Sequence, residues 1–127
     1  MKIALVSVPV QDPIAAHAIY TKKLGFKSQE FDQQAGLAIV VSAADPDGTA
    51  IILEPCKGTF AENYQQSAYA ANLPIMVFTA ANADEELQRL AAADVTLRAD
   101  LDRPDCGLTN LFEDGCGNLL MIQQAPA

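Results

Sequence analysis

The sequence predicts an α+β domain built from two βαβββ repeats, and three observations predict it. Strand-like and helix-like segments follow one another as strand, helix and three strands, and then in the same order again. Two separate landmarks recur at a single spacing. The chain has 127 residues, of which 50% are hydrophobic and 19% charged, enough apolar material for one real core. Runs of strands after each helix exclude a doubly wound sheet, in which strand and helix would alternate throughout.

The elements take their places in order. Residues 3–10, IALVSVPV, are β-branched and apolar with Ser7 and Pro9 interleaved, the pattern of a half-buried strand. Asp12 then caps a helix that has Pro13 at its first position and stops at Gly25. Its inward stripe is Ile14, His17, Tyr20, Thr21 and Leu24. FKSQEF, GLAIVVSA and TAIILEP read as three strands, the last two separated by the turn Asp45-Pro46-Asp47-Gly48. A connector follows, in which FAENYQQSAYAA forms a short helix with Phe60, Tyr64 and Ala68 on one side.

The pattern then restarts. PIMVFTA (74–80) is a strand, and Asn82 caps a helix with Glu85 three positions on and Leu87, Leu90 and Ala91 inward. VTLRADL, LTNLFED and NLLMIQQ complete the second set of strands. Leu24-Gly25-Phe26 falls on Ala93-Asp94-Val95 sixty-nine residues later, and Asp45–Gly48 falls on Asp114–Gly117 at the same offset. Two landmarks at one offset indicate an internal duplication. The expected organisation is a single domain over 1–127, with unit one at about 1–57, a connector at 58–72 and unit two at about 73–127.

Composition narrows the function. A net charge of −8 and a pI near 4.3 argue against a phosphate-backbone partner and leave no basic patch for an anionic membrane. Cys56, Cys106 and Cys116 are three cysteines without CxxC spacing, and His17 is the only histidine, which argues against an ordinary zinc site. Free thiols fit a reducing cytoplasm. The apolar start of the chain reads as a strand rather than a signal peptide, and no apolar run approaches a membrane span.

Local motifs add a resemblance. VSVPVQDPIAAHAIYTKKLGF (6–26) is similar to the opening strand and helix of the vicinal oxygen chelate superfamily, which holds the glyoxalases, bleomycin-resistance proteins and extradiol dioxygenases. EDGCGNLLMI (113–122) resembles that family's closing turn and final strand. DPDGTAIILEP with the Tyr64–Pro74 segment resembles a bacterial glyoxalase-like subgroup deficient in metal ligands. The resemblance implies a U-shaped mixed sheet from each unit, a cavity enclosed by the concave faces, and a homodimer. It also implies four metal-ligand positions, which in this sequence are Leu5, Ile52 (Leu53 if the register shifts by one), Pro74 and Met121. None of these side chains offers the oxygen or nitrogen donor that Fe, Mn, Ni or Zn would need. Neither a metal nor any other cofactor is therefore expected.

The same correspondence places Ser7, Met76, Phe78 and Gln123 beside those four as pocket-lining residues. Glu54, at a strand end, and His17 are the candidate acids or bases, set against the plainer readings of an exposed edge carboxylate and a packed helix histidine. Cys116 belongs to its turn, and Cys106 lies in a loop near Arg103 without a clear means of activation. The leading expectation is a protein that holds a small apolar or aromatic molecule in a metal-free cavity. A metal-independent lyase or isomerase using Glu54 or His17 is the alternative, followed by a metal-dependent glyoxalase or dioxygenase and by a fold kept for interaction alone.

Overall fold

The computed structural model describes all of residues 1–127, as two compact units, Met1–Asn63 and Tyr64–Ala127. The first contains β1 (Leu5–Val10), α1 (Pro13–Lys22), β2 (Lys27–Asp32), β3 (Leu37–Val41) and β4 (Ala50–Pro55). Its sheet has the order β1-β4-β3-β2, with β1 parallel to β4 and the other neighbours antiparallel. α2 (Phe60–Ala70) carries the boundary between the units. Then come β5 (Pro74–Ala80), α3 (Ala83–Ala92), two single 3₁₀ turns at Ala99–Leu101 and Pro104–Cys106, β6 (Leu111–Glu113) and β7 (Leu119–Gln124). The second sheet has the order β5-β7-β6.

The helix starts follow from their caps. Asp12 Oδ1 accepts from the N–H groups of Ile14 and Ala15, and Asn82 Oδ1 accepts from that of Glu85. Both helices end on a residue with positive φ, Gly25 at 87° and Asp94 at 64°, so the repeat landmark in the sequence is a shared helix stop. The second landmark is a shared turn. At Gly117 φ is 98°, a conformation that favours glycine, whereas at Gly48 a Cβ would meet the Asp45 carboxylate, at 2.2 Å from Oδ2, and the backbone is not left-handed.

In unit one, alternation divides the sheet into two faces. Val8, Val10, Val40 and Leu53 share one face and are at most 1% exposed. α1 lies over this face, because its His17 reaches Ser28 and Phe31, the ladder partners of Val40 and Ala38. Tyr20 and Ala16, both fully buried, close the layer from the helix side. In unit two, Leu120, Ile122 and Phe112 are the buried counterparts. α3 covers them, as the contact of Gln124 Oε1 with the Ala83 N–H at the helix start shows.

The second repeat departs from expectation at VTLRADL. Only Leu97 pairs, with Phe112, flanked by backbone bonds from Arg98 to Leu111 and from Glu113 to Thr96. Directly beyond it the chain enters the 3₁₀ turn Ala99–Leu101, where the Arg98 guanidinium forks onto Asp100, two residues along its own chain. LTNLFED accordingly shortens to the three residues of β6.

α2 also sits differently from its sequence pattern. Phe60 and Tyr64 are 90% and 55% exposed, while Gln65 is buried. The reason is polar. Gln65 Nε2 donates to the Cys116 carbonyl and to Asn118 Oδ1, and Asp114 accepts from the backbone N–H groups of Cys116 and Asn118 and from the Asn118 amide. Those bonds satisfy a buried turn that an aromatic ring could not satisfy.

Candidate functional site

Each sheet has a face turned away from its helix, and part of each such face is open. In unit one the row Ser7–Ile52–Ile39 crosses that face, with Leu5–Ala50–Val41 before it and Pro9–Glu54 after it. Ile39, Val41 and Ala50 are closed over, Leu5 and Ser7 are exposed, and Ile52 and Glu54 are half-buried. The accessible strip therefore follows β1 and the neighbouring side of β4. Its composition is apolar, with the Ser7 hydroxyl in the middle and the Glu54 carboxylate at one end.

The equivalent strip in unit two contains a register change. Pro74 pairs with Leu119 as Leu5 pairs with Ala50, but Val77 then pairs with Met121, which puts Ile75 and Met76 together opposite Leu120. This β-bulge inserts one residue and reverses the facing of everything beyond it in β5. Val77 and Thr79 take the face of Met121 and Gln123, and Gln123 Nε2 donates to Thr79 Oγ1 across the strands. Pro74 is half-buried, Val77, Thr79 and Gln123 are exposed, and Met121 is 9% exposed.

The expected lining set thus divides. Leu5, Ser7, Ile52, Pro74, Met121 and Gln123 stand on the faces away from the helices, with Glu54 among them. Leu53 and Phe78 do not. Leu53 pairs with Val8 and is 1% exposed under α1, whereas Ile52 pairs with Ser7 on the other face, and Phe78 pairs with Ile122 on the α3 side. Met76 lies in the bulge itself. Val77 and Thr79 were not expected, because no turn residue or glycine marks the bulge in PIMVFTA.

His17 lies on the opposite side of the first sheet from Glu54. Its ring stacks on Phe31, with centroids 4.0 Å apart and planes at 17°, and Nε2 is 2.9 Å from Ser28 Oγ. Burial against these groups lowers its pKa from the ordinary histidine value. This is a helix-to-sheet contact, and nothing brings the imidazole toward Glu54. Cys56 is fully buried near Gln11, and burial followed by the Glu62 charge raises its thiol pKa, which disfavours a nucleophilic thiolate. Cys106 is exposed in a 3₁₀ turn, and Cys116 belongs to the Asp114 turn.

A second polar cluster lies on β6. Glu113 Oε2 accepts from Tyr69 Oη at 2.9 Å and from Arg98 Nη1 at 2.8 Å. Donating to Glu113 raises the Tyr69 phenol pKa, and the bonds to Asp100 and then Glu113 raise that of Arg98. The cluster ties α2 to the sheet beside Leu119, which is itself 1% exposed, so it stands apart from the accessible strip.

Comparison with known proteins agrees with this architecture. The profile of the Glyoxalase/Bleomycin resistance protein/Dioxygenase superfamily matches residues 2–122, and the chain belongs to that superfamily. Among relatives, it is 36% identical over 127 residues to the uncharacterized protein YurT of Bacillus subtilis (strain 168), covering 98% of this chain and 99% of that one. Among solved structures it resembles UcmS2, with a TM-score of 0.70 and 22% identity over 96% of each chain. It also resembles TnmS3, an antibiotic binding protein from Streptomyces sp. CB03234, with a TM-score of 0.67 and 20% identity over 99% of this chain and 97% of that one.

Membership raises the question of a metal, and the residues answer it. Leu5, Ile52, Pro74 and Met121 present three hydrocarbon side chains and one thioether, and Glu54 is the one carboxylate on the accessible strip of unit one. No group of three or more His, Cys, Asp or Glu is arranged to hold a metal ion. Fe, Mn, Ni or Zn does not fit this donor set.

Proposed function

We propose that the protein binds a small apolar or aromatic molecule against the accessible strip beside β1, without a metal. One observation carries the reading. At the position in β1 where the superfamily resemblance implies a ligating side chain, this chain offers hydrocarbon surface, Leu5, 45% exposed beside the Ser7 hydroxyl. Exposed apolar side chains of this kind are stabilised by an apolar partner, and a few fixed polar groups then orient it. The antibiotic binding by which TnmS3 is described, on a protein of the same fold, supports the same use.

Two further expectations belong to this reading. A homodimer, implied by the superfamily resemblance, would cover the edge strands β1 and β5, and sedimentation velocity measures it. A reducing cytoplasm suits three cysteines that form no disulfide. No helix is long and apolar enough to cross a membrane.

The test is a fluorescence titration of the full-length protein with 1-methylnaphthalene. Saturable binding is expected, weakened about tenfold or more by Leu5→Asp and by Ser7→Asp. Both replacements are at exposed positions. Absence of saturable binding, or binding indifferent to both substitutions, sinks the proposal.

A further inference from the structure

Glu54 is out of place on the strip it occupies. Its ladder partner is Pro9, and its neighbour on the same face is Ile52, with Leu37 on the same face of β3. It is half-buried and makes no hydrogen bond or ion pair, whereas Glu113, the half-buried glutamate of β6, has two donors on one oxygen. A carboxylate partly removed from water beside apolar groups costs free energy unless something compensates its charge. The equivalent position in unit two is occupied by neutral Gln123, which is bonded to Thr79, so the duplication does not require a charge there. The net charge of −8 adds a field that draws cations and repels anions at long range.

We infer that Glu54 reads the polar end of the ligand, and that the ligand is an amphipathic cation: an apolar or aromatic body carrying a protonated amine. The body lies along Leu5, Ser7 and Ile52, and the ammonium donates to the Glu54 carboxylate. Two residues of strand separate successive positions on this face, about 7 Å, so Leu5 to Glu54 covers roughly 13 Å. That length suits a one- or two-ring body with a short amine arm. This inference rests on the proposed function and narrows it from any apolar molecule to one with a cationic end.

The experiment compares three probes on the full-length protein at about 150 mM salt: 1-naphthylmethylammonium, uncharged 1-methylnaphthalene and the 1-naphthylacetate anion. Salt at that level screens the general field over distances beyond about 8 Å and leaves the local contact. The ammonium is expected to bind about tenfold or more tighter than 1-methylnaphthalene, and the anion weakest. Glu54→Gln, which keeps the shape and removes the charge, is expected to bring the first two within about threefold. Glu85→Gln, the same change at an exposed position on α3, is expected to leave the preference alone. Equal binding of ammonium and 1-methylnaphthalene, or a preference that survives Glu54→Gln, overturns the inference while the proposed function stands. Failure of all three probes to bind overturns both.

Discussion

His17 is the chain's one imidazole, so its titration can be followed without ambiguity. Stacked on Phe31 and bonded to Ser28, it is held below the ordinary histidine pKa by burial. The folded state therefore binds its proton less readily than the unfolded chain. The stability it contributes is present above the unfolded value near 6.5 and is lost as pH falls through the lower folded value. The proton NMR midpoint of the ring should lie below 6.5, and the loss of stability on acidification to pH 5 should be smaller in His17→Gln than in the parent. A midpoint at or above 6.5 would refute the assignment. At this scale the sequence was legible wherever chemistry depends on residue type. The missing donors at Leu5, Pro74 and Met121 are visible without a structure, and so are the caps Asp12 and Asn82. What a side chain faces is another matter. Gln65 entered the interior because the Asp114–Asn118 turn needed its amide, and a helix pattern weighted by hydrophobicity points to Phe60 and Tyr64 instead.

Elements in the two repeats were matched by a constant offset, and the structure shows where that offset slips. It holds at Leu5 and Pro74 and at the helix stops Gly25 and Asp94. Between these points the bulge in β5 adds a residue, so the cap moves from Asp12 to Asn82, seventy residues on, and the stretch from cap to stop in the second repeat is one residue shorter. A compensated insertion of this kind leaves both landmarks in register and hides between them, so a constant offset puts Phe78 on the face of Met121 while the ladder pairs it with Ile122. Asp94 is the other local departure, a side-chain-bearing residue at φ 64° where the first repeat has glycine, and it sets a negative charge at a helix C-terminus. Both features are unfavourable. Asp94→Gly should stabilise the protein by about 0.5–1 kcal/mol, and Gly25→Asp should destabilise it by a similar amount. Thermal melts resolve such changes, since 1 kcal/mol corresponds to about 4 °C for a chain of this size. An Asp94→Gly variant that melts lower would show that the aspartate side chain contributes more than its backbone strain costs.

For the whole molecule, the fold and the chemistry of its site are specified by different parts of the sequence. Periodicity, caps and turn glycines repeat through both units and define the architecture, which is why the superfamily could be read from them. The side chains on the accessible strips are free to vary within that architecture, since β1 and β5 need only alternate. In this chain they have varied toward hydrocarbon. The consequence for the full protein is measurable. A metal that bound the native state with useful affinity would raise its melting temperature by mass action, by about 2.7 kcal/mol of stability at a hundredfold excess over Kd. Chelator-treated protein given Ni, Zn, Fe(II) or Mn at 100 μM is expected to melt within about 1 °C of the untreated sample. A shift of several degrees with Ni or Zn in the unmodified chain would mean that donors outside the accessible strips had assembled, and the face assignments drawn from the β1–β4 and β5–β7 ladders would have to be abandoned.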